Sequence, residues 1–222
     1  MARVWITRTQ PAADESAARL TALGYDCVTA PLLELTDLPV LSAPSVNDYL
    51  IFTSRNGVAA FARAHKDRLW PCICVGDSTA RTARAAGFTR VNSAKGNADD
   101  LVIWVQQNIS PDIRLYHVSG SHPRGDIIQR LKSYGFSKPH REAYYKSHIV
   151  TIDPRAAPRP DDIILLYSPM AAKGLGALDL DMRDMIIISL SRAVDAALGD
   201  KICKARYIAA HPSEDSLFAH LP

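Results

Sequence analysis

Small hydroxyl residues follow most of the apolar stretches in this sequence, and several of them have an arginine as a neighbour. Backbone N–H groups, hydroxyls and arginine forks are the groups that bind carboxylates and phosphates. These segments therefore indicate a ligand with several anionic groups. The same residue types also cap helix N-termini, and the two roles are compatible because both use the same unpaired donors. The segments are residues 7–8, 53–56, 76–79, 119–122, 168, 191–192 and 211–213.

A second candidate for chemistry is the segment 141–148, which reads Arg-Glu-Ala-Tyr-Tyr-Lys-Ser-His. A tyrosine hydroxyl can donate a proton to a leaving oxygen. The structural alternative is an aromatic side chain on a half-exposed strand. Because Tyr144 and Tyr145 are adjacent, the sequence leaves open which of them faces a ligand.

Several common chemistries lack their sequence signatures. The chain has no G-x-x-x-x-G-K-[ST] loop, no G-x-G-x-x-G after its first strand and no G-x-S-x-G turn. The seven histidines are scattered, and no second Cys or His pair lies near Cys72 and Cys74 to complete a zinc site. We therefore expect no cofactor and no metal, with the cysteines as buried or half-buried thiols.

Composition and charge narrow the class of protein further. The chain has 222 residues, a net charge of +3, 47% hydrophobic and 22% charged residues. These values are typical of a globular protein with one large domain or two small ones, and argue against a dedicated nucleic-acid binder. The apolar runs are far shorter than the roughly 18 residues of a membrane helix, and the N-terminus shows no export signal. We expect a cytoplasmic protein without membrane or nucleic-acid partners.

The elements that must position these residues alternate between short apolar strands and helices that end near a glycine. The predicted strands are residues 4–6, 49–52, 73–75, 115–118, 163–166, 186–188 and 207–209. The predicted helices include residues 12–23, 57–64, 78–86 and 125–134. Continuous apolar strands that alternate with helices predict parallel α/β sheets covered on both faces. Ligands of such sheets bind beyond the carboxyl ends of the strands, which is where the hydroxyl-rich segments lie.

An imperfect internal repeat predicts two similar domains rather than one. The segment Tyr49–Val58 resembles Ile163–Ala172, and each is followed by a strand, a polar turn and an alanine-rich helix. Two proline-bearing connections suggest that the middle of the chain is inserted into the first domain. We therefore expect a discontinuous α/β domain of residues 1–36 and 149–222, and an inserted α/β domain of residues 37–148.

Taken in order along the chain, these motifs resemble the uroporphyrinogen-III synthase family. The resemblance covers most of the chain, and its order and spacing are more specific than any single motif. It includes Thr7-Arg8, Leu23-Gly24, Pro31-Leu32-Leu33, residues 52–58, Val75-Gly76, Thr79-Ala80, Gly120, Arg124, Tyr145-Lys146-Ser147, Tyr167-Ser168-Pro169 and Pro212-Ser213.

The resemblance implies two flavodoxin-like parallel-sheet domains, one of them discontinuous, joined by a two-stranded linker. It also implies a cofactor-independent enzyme that dehydrates and cyclises hydroxymethylbilane with inversion of ring D, giving uroporphyrinogen III. The substrate, a linear tetrapyrrole, carries acetate and propionate groups, which fits the anion-binding segments. A monomer that makes transient contact with the upstream bilane-producing enzyme is expected. The alternative is a non-catalytic, two-lobed module of the same fold that binds a tetrapyrrole or another polyanion.

The resemblance also assigns roles to individual residues. Tyr145 matches the tyrosine that assists departure of the substrate hydroxyl. Five residues match turns that face the substrate, where backbone N–H groups matter more than side chains: Thr53, Ser54, Thr79, Ser168 and Ser191. Asn56, Gly120 and Ser213 are predicted as further substrate contacts because they lie in the segments that follow the strands. Arg8 and Arg124 are further candidates, as partners of substrate carboxylates.

Overall fold

The computed structural model of the chain describes residues 3–123, 125–152 and 156–222. Within these ranges, most strands are followed by a helix. The strands are β1 (Arg3–Ile6), β2 (Asp26–Thr29), β3 (Leu33–Asp37), β4 (Tyr49–Phe52), β5 (Cys72–Cys74), β6 (Val91–Ser93), β7 (Leu115–Gly120), β8 (His140–Ile149), β9 (Ile163–Leu166), β10 (Ile186–Ser189) and β11 (Ala205–Ile208). The helices are α1 (Ala12–Ala22), α2 (Arg55–Ala64), α3 (Asp77–Ala85), α4 (Ala98–Asn108), α5 (Ile127–Ser133), α6 (Pro169–Gly176), α7 (Arg192–Leu198) and α8 (Glu214–Phe218).

The chain divides into two compact units, of which the first is discontinuous. Unit 1 comprises Met1–Leu35 and His148–Pro222. Its sheet has the order β11-β10-β9-β1-β2, and the neighbouring strands run parallel. Numbered by their order within the unit, these strands follow the 2-1-3-4-5 arrangement of flavodoxin-like folds. The predicted fold class is confirmed.

Unit 2, Thr36–Ser147, contains the same strand arrangement with a different starting point. Its sheet has the order β3-β8-β7-β4-β5-β6. When β4, β5 and β6 are matched to β9, β10 and β11, and β7 and β8 to β1 and β2, the two spatial orders coincide. The internal repeat inferred from the sequence is therefore confirmed, because β4 and β9 occupy corresponding positions.

Both faces of the sheet in unit 1 are buried, as the continuous apolar strands predict. In β9, Ile163 and Leu165 pack in one hydrophobic cluster, and Ile164 and Leu166 pack in another. Successive side chains of a strand point to opposite faces, so these two clusters lie on opposite sides of the sheet. All four side chains are fully buried. Polar groups of this sheet are therefore exposed to solvent at the strand ends.

The chain passes between the units in β3 and β8, which are neighbours in the sheet. The backbone N–H of Leu38 donates to the carbonyl of Tyr144 at 2.9 Å, and that of Val150 donates to the carbonyl of Leu32 at 3.1 Å. From Leu32 to Leu38 along one strand, the partner in the other falls from Val150 to Tyr144, so the two strands run antiparallel. The predicted two-stranded linker is confirmed.

The structure also differs from the sequence-based expectations at several element limits. Helix α2 begins at Arg55 rather than at residue 57, because the Ser54 side chain caps it. Helix α5 begins at Ile127 rather than at residue 125, where the Asp126 side chain caps it. Strand β6 and helix α4 were not predicted. The signal for α4 was present, since Asn97 and Asp100 form a capping box.

Strand β11 spans Ala205–Ile208 rather than residues 207–209. Among the described residues, every helix is too short or too polar to cross a lipid bilayer.

Candidate functional site

Four of the serines at the strand ends are helix N-caps. Each accepts a hydrogen bond from the backbone N–H three residues later, at distances of 3.0 Å for Ser54, 3.1 Å for Ser168, 3.4 Å for Ser191 and 3.3 Å for Ser213. The first four N–H groups of a helix have no partner within the helix, and a capping side chain occupies only part of that set. The predicted capping is confirmed, and donors remain at these turns for an anionic ligand.

Tyr145 of β8 lies at the carboxyl ends of β4 and β7, within unit 2. Its phenolic oxygen is 3.1 Å from Oγ of Ser54. The same Oγ accepts the Gly57 N–H at 3.0 Å, so the Ser54 hydroxyl proton is free to be donated to the phenolic oxygen. The geometry therefore links the tyrosine to the N-terminus of α2 through one hydroxyl group.

Gly120 provides the surface against which the Tyr145 ring packs. A Cβ atom at Gly120 would lie 3.0 Å from Cε2, 3.1 Å from Cζ and 3.3 Å from the phenolic oxygen of Tyr145. The ring therefore occupies the space that any larger residue would need. Gly120 ends β7 and pairs with Tyr145 directly after Ser119 pairs with Ala143, so β8 carries one extra residue there. This bulge places Tyr145 opposite the glycine.

The extra residue in the bulge is Tyr144, and its side chain is part of the interior of unit 2. Its hydroxyl lies 2.9 Å from Nε2 of His65 and 3.0 Å from the hydroxyl of Tyr116. Burial raises the pKa of Tyr144 to about 12. Of the two adjacent tyrosines, Tyr145 is the one beside Ser54 and is 9% exposed, whereas Tyr144 is 1% exposed and hydrogen-bonds in the interior.

Thr53, the residue that follows β4, contacts a buried histidine. Its Oγ1 lies 3.1 Å from Nε2 of His117, which is only 2% exposed. Burial, and secondarily the positive charge of Arg141, lowers the pKa of His117 to about 4, so its ring is neutral at physiological pH. Its Nδ1 has no hydrogen-bond partner in the described part of the chain.

Two further predicted residues lie in the first turns of helices in unit 2. Asn56 is the second residue of α2 and is half-buried. Thr79 is the third residue of α3 and only 6% exposed, so little of its side chain is accessible to a ligand. Gly76 is the N-cap of α3 and contributes no side chain to the cap. Asp77 and Ser78 in the same turn are exposed, so the accessible polar groups of this turn include their side chains as well as backbone N–H groups.

Arg8, predicted as a partner of substrate carboxylates, has an internal carboxylate partner in unit 1. Its guanidinium donates to Glu214 at 2.6 Å and to Oγ of Ser16 at 3.1 Å. It also stacks on Tyr167, 4.4 Å from the ring centroid. The Ser16 hydroxyl donates to the same carboxylate oxygen of Glu214. Arg124, the other predicted carboxylate partner, lies outside the described residues.

Sequence reasoning missed the contact between His117 and Thr53. Strand alternation places Ile51 and Thr53 on one face of β4, and His117 pairs with Ile51 in the neighbouring β7. The alternation of side chains along each strand was readable from the sequence. Which residue of β7 lies beside Thr53 depends on how the two strands pair, and only the structure shows that pairing.

Within the described residues, the cysteines and the acidic and histidine side chains form no candidate metal centre. Cys72 and Cys74 are buried, and Cys27 and Cys203 are half-buried, so the predicted thiol environments are confirmed. The hydrogen bond to Cys74, together with burial, raises the pKa of the Cys72 thiol, which makes it unreactive. Among the residues that the structure describes, no three His, Cys, Asp or Glu side chains are arranged to hold a metal ion.

Comparisons with known proteins agree with this architecture. A family model described as "Uroporphyrinogen-III synthase HemD" matches residues 14–219. The fold is similar to that of the uroporphyrinogen-III synthetase of Helicobacter pylori, with a TM-score of 0.70, 16% identity and coverage of 99% of this chain and 97% of that one. A mutant uroporphyrinogen III synthase of Thermus thermophilus gives a TM-score of 0.52 and 14% identity, with coverage of 99% and 97%. A comparison with curated protein sequences finds no match.

Proposed function

Because the chain belongs to the uroporphyrinogen-III synthase family, an enzyme family of tetrapyrrole biosynthesis, we propose that it converts hydroxymethylbilane into uroporphyrinogen III by a cofactor-independent dehydrating cyclisation. The terminal ring, ring D, is inverted in this reaction. The observation that carries the proposal is the pairing of Tyr145 with Ser54 at the N-terminus of α2, where Gly120 leaves room for the tyrosine ring.

The first chemical step is loss of the terminal hydroxyl group of the bilane as water. The Tyr145 O–H donates its proton to the leaving oxygen while the carbon–oxygen bond breaks. This leaves a negative charge on the phenolic oxygen and an electrophilic, positively charged azafulvenium group on the substrate. The Ser54 hydroxyl, 3.1 Å away, then donates to the phenolate. The partial positive charge at the N-terminus of α2 stabilises the same oxygen.

The azafulvenium cation is next attacked by the substituted carbon of ring D, which forms a spiro intermediate. This intermediate opens, and the ring closes again in the inverted orientation. Hydroxymethylbilane also cyclises spontaneously to the isomer without inversion. The protein must therefore control the orientation of ring D more than it must accelerate bond formation. The proposed contribution of the protein is to orient ring D and to exclude water from the cation.

Binding of the substrate is assigned to the turns that follow the strands. The acetate and propionate groups of the bilane match the unpaired N–H donors and hydroxyls of these turns. In unit 2 the proposed contacts are Thr53, Ser54, Asn56, Thr79 and Gly120. In unit 1, Ser168, Ser191 and Ser213 occupy equivalent capping positions at α6, α7 and α8. They stay proposed substrate contacts, as does Arg124.

The proposal is tested by incubating the protein with freshly generated hydroxymethylbilane and separating the oxidised products by chromatography. We expect the type III isomer, formed faster than the type I isomer of the spontaneous reaction. Heat-denatured protein serves as the control for the spontaneous rate. Formation of the type I isomer alone, at that rate, would contradict the proposal. Tight binding of the bilane without conversion would instead identify a non-catalytic tetrapyrrole-binding module.

A further inference from the structure

His117 is a buried polar group that the proposed chemistry does not use. It lies in β7 and is only 2% exposed. It shares a sheet face with Leu115 two residues earlier, which packs against helices α4 and α5. Burying an imidazole in such surroundings is unfavourable unless its ring nitrogens have partners. One nitrogen, Nε2, has Thr53 at 3.1 Å, and the other, Nδ1, has no partner among the described residues.

The two neutral tautomers of this histidine differ in which ring nitrogen is left without a partner and in the direction of the hydrogen bond with Thr53. With the proton on Nδ1, a buried N–H donor would have no acceptor, and the Thr53 hydroxyl would have to donate inward to Nε2. With the proton on Nε2, the nitrogen without a partner is an acceptor. Buried N–H groups without an acceptor are rarer in proteins than acceptors without a donor. The arrangement therefore favours the Nε2–H tautomer.

We propose that His117 is a positioning residue that donates its Nε2–H to Oγ1 of Thr53 and thereby directs the Thr53 hydroxyl proton away from the sheet interior, toward a carboxylate of the substrate. A hydroxyl has one proton to donate, so an inward donor fixes the outward direction of that proton. Thr53 then acts as a pre-oriented donor to an anion rather than as a freely rotating hydroxyl. The assignment of Thr53 to substrate binding rests on the proposed function, whereas the tautomer does not.

The electrostatic surroundings of the histidine keep it in this role. Arg141 pairs with His117 across β7 and β8, and its guanidinium lies 3.4 Å from Oγ of Ser119 and 3.3 Å from the Gly120 carbonyl. Burial, and secondarily this positive charge, lowers the pKa of His117 to about 4. The ring therefore keeps a single proton across the physiological range, and Thr53 keeps one orientation.

The tautomer is tested directly by long-range 1H–15N correlation NMR on the ligand-free, full-length protein labelled at histidine. The His117→Gln variant, which removes one signal set, provides the assignment. We expect the pattern of a neutral Nε2–H imidazole at pH 7. A neutral Nδ1–H pattern, or a protonated ring, would overturn the inference, whether or not the protein is a synthase.

The effect on the substrate is tested by comparing two side chains of similar length. Gln at position 117 can donate an N–H to Thr53, whereas Met cannot. We expect His117→Met to raise KM for hydroxymethylbilane about tenfold with kcat changed less than about threefold, because a ground-state contact is lost. His117→Gln should change KM by less than about threefold. Equal KM values in two equally folded variants would overturn the inference.

A Thr53→Val background supplies the matched control. If His117 acts through the Thr53 hydroxyl, His117→Met should have no further effect on KM once that hydroxyl is absent. An undiminished effect in this background would show that His117 acts by another route. If the proposed function is wrong, the wild-type reaction should give no type III isomer, while the NMR result for His117 stays the same.

Discussion

The phenolic oxygen of Tyr145 and Oγ of Ser54 lie 3.1 Å apart, although 91 residues separate them in the sequence. The serine also caps α2, so one hydroxyl both stabilises a helix and contacts the proposed acid. A loss of the tyrosine hydroxyl therefore removes the proton donor and leaves the cap of the helix intact. This separation of roles makes the pair open to mutational tests.

We expect Tyr145→Phe to lower kcat for formation of the type III isomer about a hundredfold, because general acid catalysis typically contributes that much or more. The melting temperature should change little. The measurement is initial rate with product isomer analysis, and Tyr144→Phe is the matched control. Tyr144 hydrogen-bonds in the interior, so its variant should lose about 1–2 kcal/mol of unfolding free energy and retain turnover. Wild-type turnover in Tyr145→Phe would make that tyrosine a structural residue.

The contact between Gly120 and the Tyr145 ring predicts that an alanine there displaces the ring. A Cβ would stand 3.0 Å from Cε2 of Tyr145, closer than side-chain atoms ordinarily approach. We expect Gly120→Ala to cost about 1–3 kcal/mol of stability and to lower kcat about tenfold or more. Denaturant unfolding and kinetics measure the two effects.

The control for this prediction is the same substitution in a Tyr145→Ala background. With the ring absent, Gly120→Ala should destabilise the protein clearly less than it does in the wild type, since the clash is gone. If the two costs are equal, the ring is not what the added methyl group meets.

The buried His117 predicts a specific loss of stability in acid. Its pKa is about 4 in the folded chain against 6.5 for the unperturbed group, so between these values the unfolded state binds more protons. The stabilisation is fully present above pH 6.5 and is lost as the pH falls toward 4. The total is roughly 3 kcal/mol. Denaturant unfolding at a series of pH values should show a shallower dependence for His117→Gln than for the wild type. Parallel pH profiles would contradict the depressed pKa.

The ion pair of Arg8 with Glu214 predicts a mainly structural effect for Arg8→Met. The two side chains are about four-fifths buried, with 19% and 20% exposed, and bond at 2.6 Å. We expect a loss of about 1–2 kcal/mol, seen as a melting temperature a few degrees lower. KM for the bilane should change less than about twofold. A large rise in KM at unchanged stability would instead show that Arg8 binds a substrate carboxylate, as predicted from the sequence.

Much of the architecture was predictable because it depends on local chemistry. A serine before an apolar helical run is a cap wherever it occurs, so Ser54 and Ser168 were placed correctly by sequence alone. Continuous apolar strands such as Ile163–Leu166 require cover on both faces, and this predicted the parallel α/β sheets. The repeat predicted two equivalent units because the similar segments occupy equivalent positions in their sheets.

The identity of the proposed acid could not be decided in this way. Tyr144 and Tyr145 are the same residue type in adjacent positions, and a single bulge in β8 determines which one lies beside Ser54 and which one enters the interior. Likewise, Arg8 meets Glu214 across 206 positions of sequence, and His117 meets Thr53 across 64. The sequence by itself determined which residue types stand at the strand ends. Only the tertiary structure decided their partners, because hydrogen bonds and ion pairs depend on distances that chain separation does not specify.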